Sequence, residues 1–391
     1  MKKIKLLLAI SVVAGTLSAQ NPKVNNAFNY LRKGNLSKAK DAIDEASEHQ
    51  DTKDAAKTWF YKGNIYLAIS ASADPEVNGL DTAALEKSYE YYQKSITIDK
   101  EISNDMLNIS NPFDGIKMVA NIWFIKGRKY FDEKNFYRAY YCYNKSYEYT
   151  NPKDDNAAYM AAICGINYDN TRDMKKDTIS LAKETKSYLV GLTNRGFKDE
   201  FIYSTLANLY MTDKDTTKAV SVANKAEKQF PDSSNTLLLK LSVYYWAGKT
   251  ADANVLRETI KGKYTKNPLV FFNMGNILEK TNFEESEKAF LMAIDLNPTY
   301  FDAIFNLGAL YFNKYVDIKK NASNIKDDAE YTKAIEKSKE YITKARPYVE
   351  KCYAMNAQDY NTLFMLKLIY ANSNELEKVK EMDALLLKIK K

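Results

Sequence analysis

Histidine is almost missing from this chain: His49 is the only one in 391 residues, alongside three cysteines, eight prolines and thirteen glycines. One imidazole cannot build a catalytic triad or a multi-histidine metal site, and no His/Cys/Asp/Glu cluster has metal-ligand spacing. His49 falls at the end of a helical stretch, where a cation complements the helix dipole. No Gly-x-Ser-x-Gly turn, phosphate-binding loop or dinucleotide fingerprint is present. Three cysteines cannot all pair with one another, so Cys142, Cys164 and Cys352 read as buried thiols serving as small apolar side chains. Asp154-Asp155 and Asp327-Asp328 read as loop or cap acids. These absences point away from an enzyme and imply no cofactor and no metal. Long apolar runs are lacking too, since Leu6–Ala14 is too short to cross a bilayer.

The first nineteen residues do not belong to the fold. Lys2, Lys3 and Lys5, then Leu6–Ala14, then Leu17-Ser18-Ala19 follow the order of a secretory leader: basic, apolar, small-residue cleavage site. Cleavage is expected before Gln20, which makes 1–19 a signal peptide. The mature chain is then exported, periplasmic or outer-envelope associated, and without a transmembrane span. A retained N-terminal anchor is the alternative. The formal charge of +7 falls to +4 once the three leader lysines are gone. Lys and Glu are interspersed along the chain rather than gathered into a basic stripe, so nucleic acid is not an expected partner.

What the chain does have is a beat. Residues 203–231 read Tyr203-x2-Leu206-Ala207-x2-Tyr210-x8-Ala219-x3-Ala223-x2-Ala226-x4-Pro231. Ala207, Leu241 and Gly275 follow at intervals of 34, as do Tyr210, Tyr244 and Leu278. Apolar positions at i, i+3, i+4 and i+7 define one helix, and the small residues at 219, 223 and 226 define a second that packs closely on it. Pro231 cannot continue the second helix and stops it. This pattern resembles the tetratricopeptide (TPR) repeat, W-x2-L-G-x2-Y…A-x3-F…P. An ordinary helical bundle has no need for such a period.

The register covers nearly all of the mature chain. Trp123-x2-Lys126-Gly127-x2-Tyr130 with Ala139 and Tyr143 matches closely; Trp59-x2-Lys62-Gly63-x2-Tyr66 gives a good first helix. Its second helix, with Ser88, Tyr92 and Ser95, comes late, so a loop is inserted at about 69–82. Ala27/Tyr30/Gly34/Ala39 open the series, Cys164/Gly165/Tyr168 with Ala182 form a weak unit, and Leu363/Leu366/Lys367/Tyr370 close it. The resemblance implies an all-α, right-handed α-solenoid of about nine helix–turn–helix units. We divide it into N-terminal units over 20–196, with insertions, and C-terminal units over 197–391. Residues 103–119, with Pro112 and Gly115, read as a long connection between units. Residues 312–344 read as a long insertion whose later part is an exposed charged helix, kinked at Pro347. The threonines of Asp81-Thr82-Ala83 and Asp177-Thr178-Ile179 resemble bacterial O-glycosylation acceptors.

In the TPR family the first helix of each unit, helix A, lines the concave face. The resemblance therefore places a partner groove at Phe60, Phe124, Phe272 and Phe305, one residue past the Trp/Tyr position, with Asn64, Arg128, Asn208 and Asn276 on the next turn. Phe364 continues the phenylalanine series. Phenylalanine offers apolar pockets and asparagine both donates to and accepts from an extended backbone. The competing reading is that each Phe packs on the neighbouring repeat. Family members that clamp a C-terminal carboxylate use Lys where this chain has Phe, which argues against a carboxylate clamp. The expected function is a non-catalytic scaffold for a protein or peptide partner in the bacterial cell envelope. The alternative is a permanent structural subunit of an envelope or secretion assembly.

Overall fold

A computed structural model describes residues 22–104, 108–150, 154–175 and 177–389; the expected signal peptide and its cleavage site lie outside them. The described residues contain helices, turns and bends and no strand. Contacts divide the chain into two compact units that meet between Asn194 and Arg195.

In the first unit the helices are α1 (Pro22–Arg32), α2 (Leu36–Glu48), α3 (Ala56–Ser70), the single-turn α4 (Pro75–Asn78), α5 (Ala84–Ile98), α6 (Pro112–Asp132), α7 (Phe136–Tyr149), α8 (Asp155–Thr171) and α9 (Ala182–Asn194). They form four hairpins, α1/α2, α3/α5, α6/α7 and α8/α9, each packed on the next. The second unit runs α10 (Glu200–Thr212), α11 (Thr216–Gln229), α12 (Ser234–Trp246), α13 (Thr250–Lys263), α14 (Pro268–Leu278), α15 (Phe283–Leu296), α16 (Phe301–Ala322), α17 (Asp328–Met355), α18 (Tyr360–Asn372) and α19 (Leu376–Ile389). These give five hairpins in sequence order. Nine helix–turn–helix units result among the described residues, and the all-α TPR-type solenoid implied by the 34-residue beat is present.

The tight turn inside the hairpin has one recurring chemistry. Gly34, Lys134, Lys214, Gly248 and Asn374 all have positive φ, between 58° and 74°. The first four stand five residues before the buried alanine of helix B, and Asn374 stands five before Val379. The next residue's N–H returns to the carbonyl of the repeat tyrosine: Asn35 to Tyr30 (3.0 Å), Asn135 to Tyr130 (2.8 Å), Asp215 to Tyr210 (2.9 Å), Lys249 to Tyr244 (2.9 Å) and Glu375 to Tyr370 (2.9 Å). This is the 6→1 bond of a Schellman ending. In three of them the same residue then caps the following helix through its side chain: Asn35 accepts from the N–H of Lys38, Asn135 from that of Arg138 and Asp215 from that of Lys218.

Packing inside the hairpins is a matched exchange of size. A Cβ on Gly63 would come within 2.6 Å of the Tyr92 ring, one on Gly127 within 3.0 Å of Tyr143, one on Gly275 within 2.6 Å of Phe290 and one on Gly308 within 2.7 Å of Val349. Helix A gives up a side chain so that helix B can insert a large one. In α10/α11 both places are small, Ala207 and Ala223, and both are buried. In α18/α19 they are Lys367 and Asp383, joined as an ion pair at 2.6 Å. That pair accounts for the departure from Gly at 367.

Three sequence expectations are corrected. Residues 112–119 are the first two turns of α6 rather than part of a connection: Asn111 caps the helix and Pro112 opens it, where its missing N–H costs nothing. Gly115 then packs against the far side of the Tyr92 ring, with 2.3 Å to a built Cβ. Residues 312–322 of the expected insertion are three further turns of α16, and α17 doubles back along it. Helix α17 is charged outward, yet Ser338 and Ile342 are buried against the core. Its Pro347 lies within the helix. In α8/α9 the buried inward side chains are Thr185, Leu189 and Leu192, while Ala182, the first residue of α9, is exposed.

The three cysteines are buried free thiols. Burial pushes Cys142 up to about 11 and both Cys164 and Cys352 up to about 12, so all three stay protonated near neutrality.

Candidate functional site

The eight sequence-predicted residues do not share one environment. Phe60 is wholly buried, its ring 5.8 Å from Tyr61 and 6.4 Å from Tyr92. Asn64 is buried as well, and its Oδ1 accepts the Tyr92 hydroxyl at 2.7 Å. These two are core side chains of their own hairpin, packed on Tyr92 of α5 rather than on a neighbouring repeat. The reason is the large Tyr92, fully buried between Gly63 and Gly115, which draws the helix A face inward.

Phe124 and Arg128 are placed differently. Phe124 is half-buried with its edge to the Tyr143 ring (5.0 Å), and the exposed Arg128 guanidinium lies 5.9 Å from its centroid. Both line a groove of about 630 Å³ between α6 and α8, the helix A elements of consecutive hairpins. Lys117, Asn121, Tyr159 and Met160 share its walls with Ser146, Thr150, Asp154 and Asn156. Lys117, Asn121, Phe124 and Arg128 stand at i, i+4, i+7 and i+11, one stripe of a single helix. The earlier members go unrecognised as long as 103–119 is read as a connection; a helical reading begun at Asn111-Pro112 would have found them. Lys117 also meets Asp114 at 3.1 Å, on the turn before.

In the second unit Asn208, on α10, is exposed. Phe272 is half-buried, 5.1 Å from Tyr300 and 6.1 Å from Phe290. Asn276 is exposed, and its Oδ1 accepts from Asn306 of the next helix A at 2.8 Å. Phe305 stacks on Phe301 at 6.5 Å. Two turns further along α16, Asn313 donates to Glu279, 34 residues earlier, at 3.3 Å. Phe272, Asn276, Phe305 and Asn306 thus lie on the adjoining helices α14 and α16. Their amides are joined in a ladder across the repeats.

The repeat tyrosines do more than fill space. Tyr66 donates to Asp44 of the preceding helix B at 2.9 and 3.0 Å, Tyr244 to Asn224 at 3.1 Å, Tyr370 to Glu350 at 3.0 Å and Tyr311 to Glu287 at 2.5 Å. Asp44 also holds Lys40 (2.8 Å) and the buried Lys62 (3.1 Å). Burial raises its pKa, but the bonds from Lys40, Lys62 and Tyr66 outweigh it and leave the carboxyl below its ordinary value. Burial, and then Asp44, push the Tyr66 phenol far above the usual tyrosine range.

Among the described residues no group of three or more His, Cys, Asp or Glu is placed to hold a metal, and no helix is long and apolar enough to cross a membrane. The fold defines the class: a TPR-type helical repeat, by the nine hairpins among the described residues, their Schellman turns and their glycine–aromatic packing. No protein-family model and no curated protein matches the chain. Similar solved structures include yeast Tom70, at 15% identity over 94% of this chain and 84% of that one, with a TM-score of 0.41. YrrB, described as a TPR protein with an unusual peptide-binding site, matches at 17% over 55% and 96%, with a TM-score of 0.34. A TPR repeats protein of Bacteroides fragilis matches at 18% over 64% and 98%, with a TM-score of 0.26.

Proposed function

We propose that the chain is an exported, non-catalytic TPR scaffold of the bacterial cell envelope that holds a protein or peptide partner along its helix A faces. The α6/α8 groove carries this reading, because it sets an accessible aromatic ring, a guanidinium and side-chain amides along one open channel. Its chemistry suits an extended segment that buries an apolar side chain against Phe124 and Met160 and turns a carboxylate toward Arg128. The amide ladder of Asn276 and Asn306 supplies backbone-directed donors and acceptors in the second unit. Export rests on the leader-like order of residues 1–19.

The test is affinity capture from a native envelope extract with mass spectrometry, comparing wild type with Phe124→Ala/Arg128→Ala. Loss of a specific partner with an unchanged helical spectrum supports the groove; retention of every partner removes it. N-terminal sequencing of the native protein checks export, with a start near Gln20 expected and a cytoplasmic species retaining Met1 excluding it.

A permanent structural subunit is the second reading. Leu376, Leu387 and Ile389 of α19 are exposed apolar side chains on the last helix, as a docked face requires. A stoichiometric complex through size exclusion, insensitive to the groove variant, favours it.

A further inference from the structure

Four Asp-Thr pairs occur in the chain, at 51–52, 81–82, 177–178 and 215–216. The fold treats them differently. Thr52 is buried, and its hydroxyl donates to the Ala46 carbonyl at 2.6 Å. Thr216 is the first residue of α11, which Asp215 caps. Thr82 and Thr178 stand outside the helices and are exposed. Neither of these two hydroxyls has a hydrogen-bond partner among the described residues.

The two exposed threonines share a place in the fold. Seven hairpins join helix A to helix B by short connections, of which 323–327 is the longest. The other two, α3/α5 and α8/α9, use 71–83 and 172–181. Each of these longer connections carries one Asp-Thr-apolar tripeptide, Asp81-Thr82-Ala83 or Asp177-Thr178-Ile179. In both, the aspartate Oδ1 accepts the N–H of the residue after the threonine, Ala83 at 2.9 Å and Ile179 at 3.0 Å. The other carboxylate oxygen is held too, that of Asp81 by Lys87 at 2.5 Å and that of Asp177 by the Tyr168 hydroxyl. The turn closes around the threonine and leaves its side chain in solvent. Ile179 is half exposed beside it.

We propose, resting on the export reading above, that Thr82 and Thr178 are O-glycosylation sites. A transferase of the envelope moves a sugar onto each hydroxyl from a phosphate-linked carrier. The threonine Oγ1 attacks the anomeric carbon, and the bond from that carbon to the carrier phosphate breaks. The phosphate leaves with the electron pair, and the hydroxyl proton passes to a base of the transferase. Both aspartates already have their oxygens engaged, so they shape the acceptor rather than deprotonate it. A phosphoryl group at the same hydroxyl would set further negative charge beside that carboxylate, whereas a neutral sugar adds none. A surface connection also accepts a bulky addition without breaking helix hydrogen bonds.

The test is peptide sequencing of the native protein, purified from an envelope extract, by mass spectrometry with electron-transfer fragmentation, which keeps an O-linked sugar on its residue. A glycan mass is expected on Thr82 and Thr178 and none on Thr52 or Thr216. N-terminal sequencing of the same sample separates this proposal from the export reading. A start near Gln20 with either Thr82 or Thr178 bare overturns glycosylation and leaves export standing. A retained Met1 removes export and this proposal with it. A phosphate mass at either position also overturns it, and a glycan on Thr52 or Thr216 overturns the structural rule behind it. Asp177→Ala should strip Thr178 of its sugar and spare Thr82, with an unchanged circular dichroism spectrum. A Thr178 glycan that persists in that variant overturns the turn as the recognised element.

Discussion

The Tyr66 hydroxyl reaches both carboxylate oxygens of Asp44, at 2.9 and 3.0 Å, and so ties the second hairpin to the first. The same tether recurs at Tyr244, Tyr311 and Tyr370, each time from helix A to an acceptor on the preceding helix B. A repeat solenoid is stabilised through its nearest-neighbour interfaces, so these hydroxyls act where cooperativity is set. Tyr66→Phe should lose about 1.5–3 kcal/mol, the range for a hydrogen bond to a charged group, read from urea melts at pH 7.

Acid should act on the same contact. Asp44 has a folded pKa below its unfolded value. Its contribution is therefore complete above the ordinary Asp value of about 3.9 and is lost as the pH falls through the folded pKa. The stability gap between wild type and Asp44→Asn should be widest near neutrality and close below about pH 4. Melts at pH 7 and pH 3 check this; an equal gap at both would contradict it.

Size exchange in the hairpins predicts which glycines are indispensable. Gly127→Leu and Gly308→Leu drive a side chain into Tyr143 and Val349 respectively. Overpacking of this kind costs about 1–3 kcal/mol or more. Gly262→Ala is the contrast: it lies inside α13 with nothing within 4 Å of a built Cβ. Relief of backbone entropy there should raise stability by about 0.5–1 kcal/mol. Thermal melts rank the three, and equal melting temperatures would refute the packing.

The turns offer stabilisation as well. Lys134 and Lys214 hold φ of 58° and 60°, where Gly34 and Gly248 carry out the same turn without a Cβ. The left-handed conformation costs a non-glycine residue about 1–2 kcal/mol, partly offset by the greater entropy of unfolded glycine. Lys134→Gly and Lys214→Gly should each stabilise by about 0.5–1 kcal/mol. A lower midpoint in urea would show that the lysine side chains contribute more than the strain costs.

The thiols should be silent in the native protein. Cys142, Cys164 and Cys352 are buried and held well above neutrality, so a thiol reagent at pH 8 should modify none until denaturant is added, and then all three. Rapid native labelling would mean that a hairpin opens.

The repeat architecture was legible in the order of residues because helical period, small-residue spacing and turn signals are local properties. The nine hairpins, the core alanines and the burial of the cysteines all follow from them. What escaped a linear reading depends on neighbours. Phe60 and Phe124 occupy the same repeat position, yet one is sealed in the core and the other lines a groove. Asn64 reads as a ligand for peptide backbone until Tyr92, 28 residues on, claims it. The Asn111-Pro112 start of α6 is visible locally, but only packing shows that Gly115 closes over that same Tyr92 ring. Trp59 and Trp123 match in sequence, while the segment beside each decides whether its indole is satisfied. Sequence determined which residues are small, large or donors and where helices start and stop. Tertiary structure decided which of them remain free to meet a partner, because burial belongs to pairs of repeats rather than to any one of them.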